Sequence, residues 1–166
     1  MQRRATVVGL AAATTAQVWP LLALLASFTA GGTWWWASSG DPALARIAGM
    51  LLLWGVAGLT ASFVLHEAAH LLGLRRIPTV ASVRLERTVW RLSLIPAGTL
   101  TSRQLVAVAL AGPGSCVAVG LLLALAVPGL WLHPWYLAHA VFVLPCFGDG
   151  RAILRAATAG RSRHAP

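Results

Sequence analysis

Two histidines one helical turn apart bracket a glutamate near the middle of the chain, in the run His66-Glu67-Ala68-Ala69-His70. The apolar residues around this run favour a helix. Positions i and i+4 of a helix share a face, so the two imidazoles can bind one metal ion. Glu67 lies beside that face, where it can take a proton from a water held by the ion. The pattern therefore predicts a metal site with a carboxylate base.

A catalytic zinc site needs a third protein ligand and an open position for water. Asp149 is the favoured candidate because it lies near the same end of a hydrophobic span as the histidine helix. Other side chains are weaker candidates, because two of them suit packing inside a span and the last falls in a predicted outer loop: Cys146, His139 and His133. The predicted ligands of one Zn²⁺ per chain are therefore His66, His70 and Asp149.

The composition indicates an integral membrane protein. The chain has 166 residues, of which 58% are hydrophobic and 10% charged, and its mean hydropathy is +0.75. Soluble domains are about one-quarter charged. Ionisable side chains at bilayer depth are costly and usually functional, which adds weight to the histidine motif. The two cysteines indicate no disulfide framework.

The basic residues are distributed as topology signals. All thirteen are arginines, and twelve of them fall within residues 3–4, 75–103 and 151–163. Each group borders a hydrophobic stretch, as the positive-inside rule predicts. This distribution argues against nucleic acid as a partner and predicts contact with lipid headgroups. It predicts that both termini lie in the cytoplasm and that the protein is integral to the plasma membrane, which we expect to be bacterial.

The predicted fold is an all-α integral membrane protein with about four transmembrane helices and a short β-hairpin after the second. The predicted spans are 5–30, 43–74, 103–127 and 135–145, with an outer loop at 31–42. A cleaved signal peptide is the alternative for the first span, but its length and its Trp19-Pro20 pair favour a retained helix.

Residues 79–95 alternate between apolar and polar side chains, which predicts a hairpin that turns around Arg87. Two interpretations remain open. The hairpin lies on the membrane surface with its arginines reaching the headgroups, or it offers an exposed edge that pairs with an extended peptide.

A Gly112-Pro113 pair interrupts the third span, where proline removes a backbone hydrogen bond and predicts a break in the helix. A count of 1.5 Å per residue puts Gly112 roughly 13 Å from the cytoplasmic boundary, level with His66. A packing kink alone would also explain the pair.

Together these elements resemble the site-2 protease family of intramembrane zinc metalloproteases, in a minimal form without a PDZ domain. The 66–70 run matches the family's zinc helix, and 111–113 resembles its G-P-x-x-N element. Residues 144–151 resemble its L-P-x-x-x-x-D-G-x-R element, which supplies the third ligand. The resemblance covers about residues 45–155 and implies a hairpin after the zinc helix.

The chain departs from the family pattern at three points. Cys116 stands where G-P-x-x-N has asparagine, Val143 lies near the position of a second asparagine, and the spacing from Pro145 to Asp149 is one residue short. In the family those asparagines help to hold the substrate. The resemblance makes Gly112, Pro113 and Cys116 candidate substrate-binding residues, and the departures bear on substrate handling rather than on zinc binding.

The resulting hypothesis is a membrane-embedded zinc metalloendopeptidase that cuts a membrane-spanning or membrane-associated substrate near the cytoplasmic face, with Glu67 as the catalytic base. The alternative is a weakly active or inactive membrane scaffold that binds metal or a partner helix. Glu67 favours the enzyme, because structural zinc needs no adjacent base. The predicted organisation is an N-terminal span and loop over 1–42, a core over 43–155 and a basic tail over 156–166.

Overall fold

The computed structural model describes residues 3–88 and 92–161. Residues 89–91 and the end of the predicted basic tail, 162–166, lie outside the described residues. The hairpin does not turn at Arg87 as predicted, because Arg87 is the last residue of its first strand and pairs with Leu92. Within the described residues, four helical segments are long and apolar enough to cross a membrane: Val7–Ser39, Ala43–Arg75, Ser102–Ala126 and His133–Thr158. This confirms the predicted number of spans. Membrane insertion and the cytoplasmic location of the termini stay predictions.

The first helix, α1, is longer than predicted and covers Val7–Ser39. The Thr6 hydroxyl caps it by accepting a hydrogen bond from the Gly9 N–H at 2.9 Å. It ends at Gly40, whose φ of 78° suits a residue without a Cβ. The predicted outer loop therefore shrinks to residues 40–42, because the tryptophans at 34–36 continue the helix and nothing before Gly40 stops it.

The second span consists of three helical pieces. These are α2 at Ala43–Leu53, a π-helical segment at Trp54–Thr60 and α3 at Ala61–Arg75. The Thr60 hydroxyl donates to the Gly55 carbonyl at 2.7 Å inside the π-helical turn. A π-helical turn contains an extra residue, so it rotates α3 relative to α2. This rotation decides which way the histidine pair faces.

The predicted hairpin is confirmed and gains a third strand. Strands β2 (Val80–Arg87) and β3 (Leu92–Gly98) pair antiparallel, and β1 (Arg3–Arg4) pairs with the other edge of β2. The order β1-β2-β3 leaves the outer edge of β3 without a strand partner among the described residues. The chain start is thereby fixed next to the hairpin.

The third span is one continuous helix, α4, at Ser102–Ala126. It begins with a capping box between Thr101 and Gln104. The helix passes through Pro113 without interruption, so the predicted break at Gly112-Pro113 is wrong. Proline still withholds one N–H, but helix packing in a span tolerates such a loss.

The fourth span is the least regular. A 3-10 turn at Pro128–Leu130 leads into α5 (His133–Leu137), a 3-10 segment (Ala138–Val143) and, after a non-helical stretch at 144–147, α6 (Gly148–Arg161). The fourth helical segment therefore begins at His133, two residues before the predicted start at Trp135. Helix α6 runs past residue 155, and the predicted domain division stays a prediction.

The packed core joins α1, α3 and the sheet. Its buried members include Leu10, Leu71, Leu74 and Val83. The Arg75 guanidinium donates to the Ala5 carbonyl at 2.7 Å and ties the end of α3 to the chain start. Large apolar side chains elsewhere face outward, as lipid contact would require: Trp19, Trp34, Leu24, Leu122 and Leu125.

Candidate metal centre

The histidine pair lies on the buried face of α3. His66 and His70 are 5% and 8% exposed, and their Nε2 atoms are 3.0 Å apart. The i, i+4 spacing places both rings on one side of the helix, as predicted from the sequence. The two nitrogens point toward a common position between α3 and α6.

Asp149 reaches that position from the first turn of α6. Its Oδ2 lies 3.1 Å from His66 Nε2, and its Oδ1 lies 3.4 Å from His70 Nε2. Gly150 supports this turn, because a Cβ there would overlap the backbone carbonyls of Val143 and Leu144. The structure thus brings together the three side chains that the sequence named as metal ligands.

The hydrogen bonds of the rings fix where their protons lie. His70 Nδ1 is 2.7 Å from the Val108 carbonyl, which only accepts, so Nδ1 carries the proton. The neutral His70 ring therefore has a lone pair on Nε2. This nitrogen faces the cluster rather than a hydrogen-bond donor.

A longer chain of bonds fixes His66 in the same way. The Ser62 hydroxyl donates to the Leu59 carbonyl at 2.9 Å, so its oxygen accepts from His139 Nε2 at 3.0 Å. His139 Nδ1 then accepts from His66 Nδ1 at 3.1 Å. The neutral His66 ring is left with its lone pair on Nε2, also facing the cluster.

With both rings neutral and protonated on Nδ1, four acceptor atoms meet: the two Nε2 atoms and both carboxylate oxygens of Asp149. Lone pairs at these distances repel unless a metal cation or a proton lies among them. Zn–N bonds of ~2.0–2.1 Å at tetrahedral angles would place ligand atoms about 3.3 Å apart. The measured separations of 3.0, 3.1 and 3.4 Å fit such a cation.

Glu67 lies next to this cluster without being part of it. Its half-buried side chain lines a cavity of about 560 Å³ together with His66, His70 and Asp149. It also lines a second cavity of about 460 Å³ that reaches α1 at Thr14. A carboxylate in this position can exchange a proton with a water in the cavity.

A second group of possible ligands shares His66. His66, Cys116 and His139 are all buried, and one ligand atom from each lies within 4.8 Å of the others. They are close enough to hold a metal ion. In the structure they make hydrogen bonds instead, since the Cys116 thiol donates to the Ser62 carbonyl at 3.3 Å.

The residues that the resemblance assigned to substrate lie deeper than a substrate site requires. Gly112, Pro113 and Cys116 are buried in α4. A Cβ on Gly112 would lie 2.9 Å from His66 Nε2 and would overlap the ring of His70. Gly112 therefore provides room for the imidazoles, and the substrate-binding role of the three residues stays a prediction.

The three weaker ligand candidates from the sequence, His139, His133 and Cys146, lie outside the cluster formed by His66, His70 and Asp149. His139 is a hydrogen-bonded core histidine, as predicted, but its contact with His66 was not foreseen. His133 begins α5, and Cys146 is exposed. Neither belongs to a potential metal group among the described residues. No sequence pattern linked His139 to the centre, because its span position depends on the 3-10 segment.

The edge strand borders the larger cavity. Leu92, Ser93, Leu94 and Pro96 of β3 line it on one side, and the cluster lines it on the other. An extended chain along β3 would pass the metal position. No family model, curated protein or solved structure matches the chain.

Proposed function

We propose that the protein is an intramembrane zinc-dependent endopeptidase. The observation that carries the proposal is the convergence of four possible ligand atoms from His66, His70 and Asp149, which lie beside Glu67 in a cavity. Such a cluster suits a divalent cation, and a three-ligand set of two histidines and a carboxylate is typical of catalytic zinc.

His66, His70 and Asp149 would hold the ion, which supplies Lewis-acid activation of water and of a peptide carbonyl. Glu67 would accept the proton of the attacking water and then deliver it to the leaving amine. Its location in the cavity wall, outside the ligand cluster, leaves the carboxylate available for this transfer.

The substrate would be a membrane-spanning or membrane-associated chain, locally unwound near the cytoplasmic face. A helical amide is hydrogen-bonded and shielded, so a peptide has to be extended before it is cut. The open edge of β3, on the wall of the same cavity, is suited to hold that extended segment by strand addition.

The deciding experiment combines metal content with unbiased detection of cleavage. Purified wild type should carry about one zinc per chain, and Glu67→Gln should keep it. Membranes of source cells that express each form should differ in new N-termini of membrane proteins, found by quantitative mass spectrometry. If cells with wild type and cells with Glu67→Gln contain the same set of N-termini, at equal levels of the two proteins, the endopeptidase proposal is ruled out.

A metal-stabilised scaffold is the second candidate, and the His66–Cys116–His139 group favours it. Structural zinc sites are closed and rich in buried sulfur and nitrogen ligands, as this group is. The scaffold requires metal to survive Asp149→Ala and to be lost in Cys116→Ala. The endopeptidase requires the opposite result.

A further inference from the structure

The 3-10 segment Ala138–Val143 carries a histidine that has no place in the proposed reaction. His139 is 2% exposed and lies between Ser62 and His66 of α3. Burial of a third imidazole so near the cluster is costly unless both of its nitrogens are bonded, and both are. The arrangement joins the second and fourth spans at the level of the centre.

The chain of bonds runs in one direction. The Leu59 carbonyl takes the Ser62 hydroxyl proton, so Ser62 can only accept from His139, and His139 can only accept from His66. While the Ser62 hydroxyl donates to the Leu59 carbonyl, reversal of either later bond alone would place two donors or two acceptors face to face. The proton of His66 is therefore held on Nδ1, away from the metal position.

We propose that Ser62 and His139 are positioning residues that hold His66 in the tautomer and ring orientation needed to bind the metal through Nε2. This inference rests on the proposed metal centre. Partners of the non-ligating nitrogen commonly orient metal-binding histidines, and their loss typically lowers metal affinity ~10–100-fold. Here the partner is a neutral histidine fixed in turn by a serine.

The same bonds argue against His139 as a ligand. For the His66–Cys116–His139 group to take the ion, the His66–His139 bond would break and the Cys116 thiol would lose the proton that it donates to the Ser62 carbonyl. Occupation of the Asp149 side breaks neither bond.

The test uses full-length protein in detergent and compares four variants. His139→Phe removes the acceptor for His66 Nδ1, whereas His139→Asn keeps an oxygen acceptor near that position. Ser62→Ala removes the acceptor for His139. Tyr136→Phe is the matched control, because it removes another hydrogen bond between the same two spans, a part-buried one of 2.9 Å to the Ala57 carbonyl, without touching His66.

The first readout is zinc affinity, measured by competition with a chromophoric chelator. We expect His139→Phe to weaken binding ~10–100-fold, His139→Asn to restore most of the loss and Tyr136→Phe to leave affinity unchanged. Ser62→Ala should weaken binding less than His139→Phe. If His139→Phe prevents folding, Ser62→Ala still tests the inference. Circular dichroism and gel filtration of the metal-free proteins would show whether each variant folds.

The second readout is the visible spectrum of the Co²⁺-substituted protein, which reports ligand geometry independently of cleavage. The bands should change in His139→Phe and stay fixed in Tyr136→Phe. Unchanged affinity and spectrum in both His139→Phe and Ser62→Ala would overturn the inference, as would an equal loss in Tyr136→Phe. A thiolate-to-cobalt charge-transfer band in wild type that disappears in Cys116→Ser would show that the ion is bound by the His66–Cys116–His139 group. His139 would then be a ligand and not a positioning residue.

Failure of this inference and failure of the proposed function separate cleanly. If wild type binds metal and the affinity series is as expected, the positioning role stands even for a protein that cuts nothing. If wild type cleaves through Glu67 but His139→Phe keeps full metal affinity and an unchanged spectrum, only the positioning role is wrong. Absence of metal binding in wild type would overturn both.

Discussion

Each histidine of the α3 pair uses one ring nitrogen for a hydrogen bond and directs the other toward Asp149. His70 is fixed by a main-chain carbonyl of α4, and His66 by a side chain of the fourth span. Ring orientation is therefore set by two different neighbours of α3. Because both rings are oriented before an ion arrives, little conformational freedom is lost on binding.

Asp149→Asn tests the third ligand at nearly constant volume. The amide keeps one oxygen but loses the negative charge that balances the cation, so we expect zinc affinity to fall by at least ~100-fold, beyond the usual effect of an outer partner. The zinc content that remains after dialysis against a chelator measures this loss of affinity. Glu86→Gln, at an exposed position of β2, is the control and should bind like wild type. Equal zinc in Asp149→Asn would move the third ligand elsewhere.

Gly112→Ala tests the space that the imidazoles need. The added methyl group would meet both histidine rings, and it cannot move because it is attached to the backbone of α4. We expect metal binding to be lost while the protein still purifies as a folded species. Gly114→Ala is the matched control, since its Cβ would meet nothing within 4 Å. Full zinc occupancy in Gly112→Ala would contradict the packing described here.

The three metal ligands were predictable from the sequence, but the residues that position them were not. The i, i+4 spacing determines that His66 and His70 share a face, and the shallow position of Asp149 follows from the arginine that comes after it. The contact of His139 with His66 depends instead on the rotation of two irregular helical segments. The role of Gly112 likewise depends on how closely α3 and α4 pack, which no local pattern encodes.

Among the elements, the second span leaves α-helical geometry where it meets α5, and the fourth span does so in the 3-10 segment that directly follows α5. The π-helical segment contacts the fourth span through Gly58, which lies against Trp135, and through the bond from the Tyr136 hydroxyl to the Ala57 carbonyl. A wider turn on one side and a tighter one on the other bring His139 opposite His66. These irregular turns thus set the geometry of the centre.

Gly58→Ala should disturb that contact and lower stability. Its Cβ would lie 2.7 Å from the Trp135 ring, and such overpacking typically costs about 1–3 kcal/mol. Thermal unfolding in detergent, followed by circular dichroism, measures the loss. Gly49→Ala in α2 meets no neighbour and should be neutral or slightly stabilising, because alanine favours a helix by up to ~1 kcal/mol over glycine. Equal melting of the two variants would argue against close packing at Gly58.

The edge of β3 gives a prediction about substrate handling. The Val83 carbonyl accepts a hydrogen bond from the Ala5 N–H, so the backbone polar groups of Val83 face β1 rather than β3. Its cross-strand partner Pro96 therefore directs its own backbone groups away from β2. Leu94, two residues earlier in β3, has the same orientation. Leu94→Pro would remove an outward N–H without cutting the β2–β3 ladder. We expect it to reduce Glu67-dependent cleavage several-fold and to leave zinc content unchanged.

Leu94→Ala is the control for this change, because it shortens the same side chain and keeps the N–H. If the two variants cleave equally, main-chain pairing at β3 is not used. The hairpin itself was predictable from alternating side chains, whereas the added strand β1 was not, since two residues carry no period. The same limit hid the irregular turns of the second and fourth spans, whose apolar residues suit any helix.

At the scale of the whole molecule, the chain start and the hairpin must share a side. Strand β1 pairs with β2, and the guanidinium of Arg75 bonds to Ala5. Four spans of this connectivity also return α6 to that side, next to the centre. The arginine-rich segments collect there, and by the positive-inside rule we expect this side to face the cytoplasm.

This topology is testable with single cysteines in a background that lacks Cys146; Cys116 is fully buried and should not react. Gly129→Cys lies in the turn between the third and fourth spans, and Ala81→Cys lies exposed on β2. In intact cells a membrane-impermeant maleimide should label Gly129→Cys and spare Ala81→Cys, and in inverted vesicles the order should reverse. Labelling of both cysteines from one side would place the hairpin and the turn at Gly129 on the same face of the membrane. In that case α4, which connects them, would not cross it. Labelling of Ala81→Cys alone in intact cells would invert the protein and move the proposed cleavage site to the outer face.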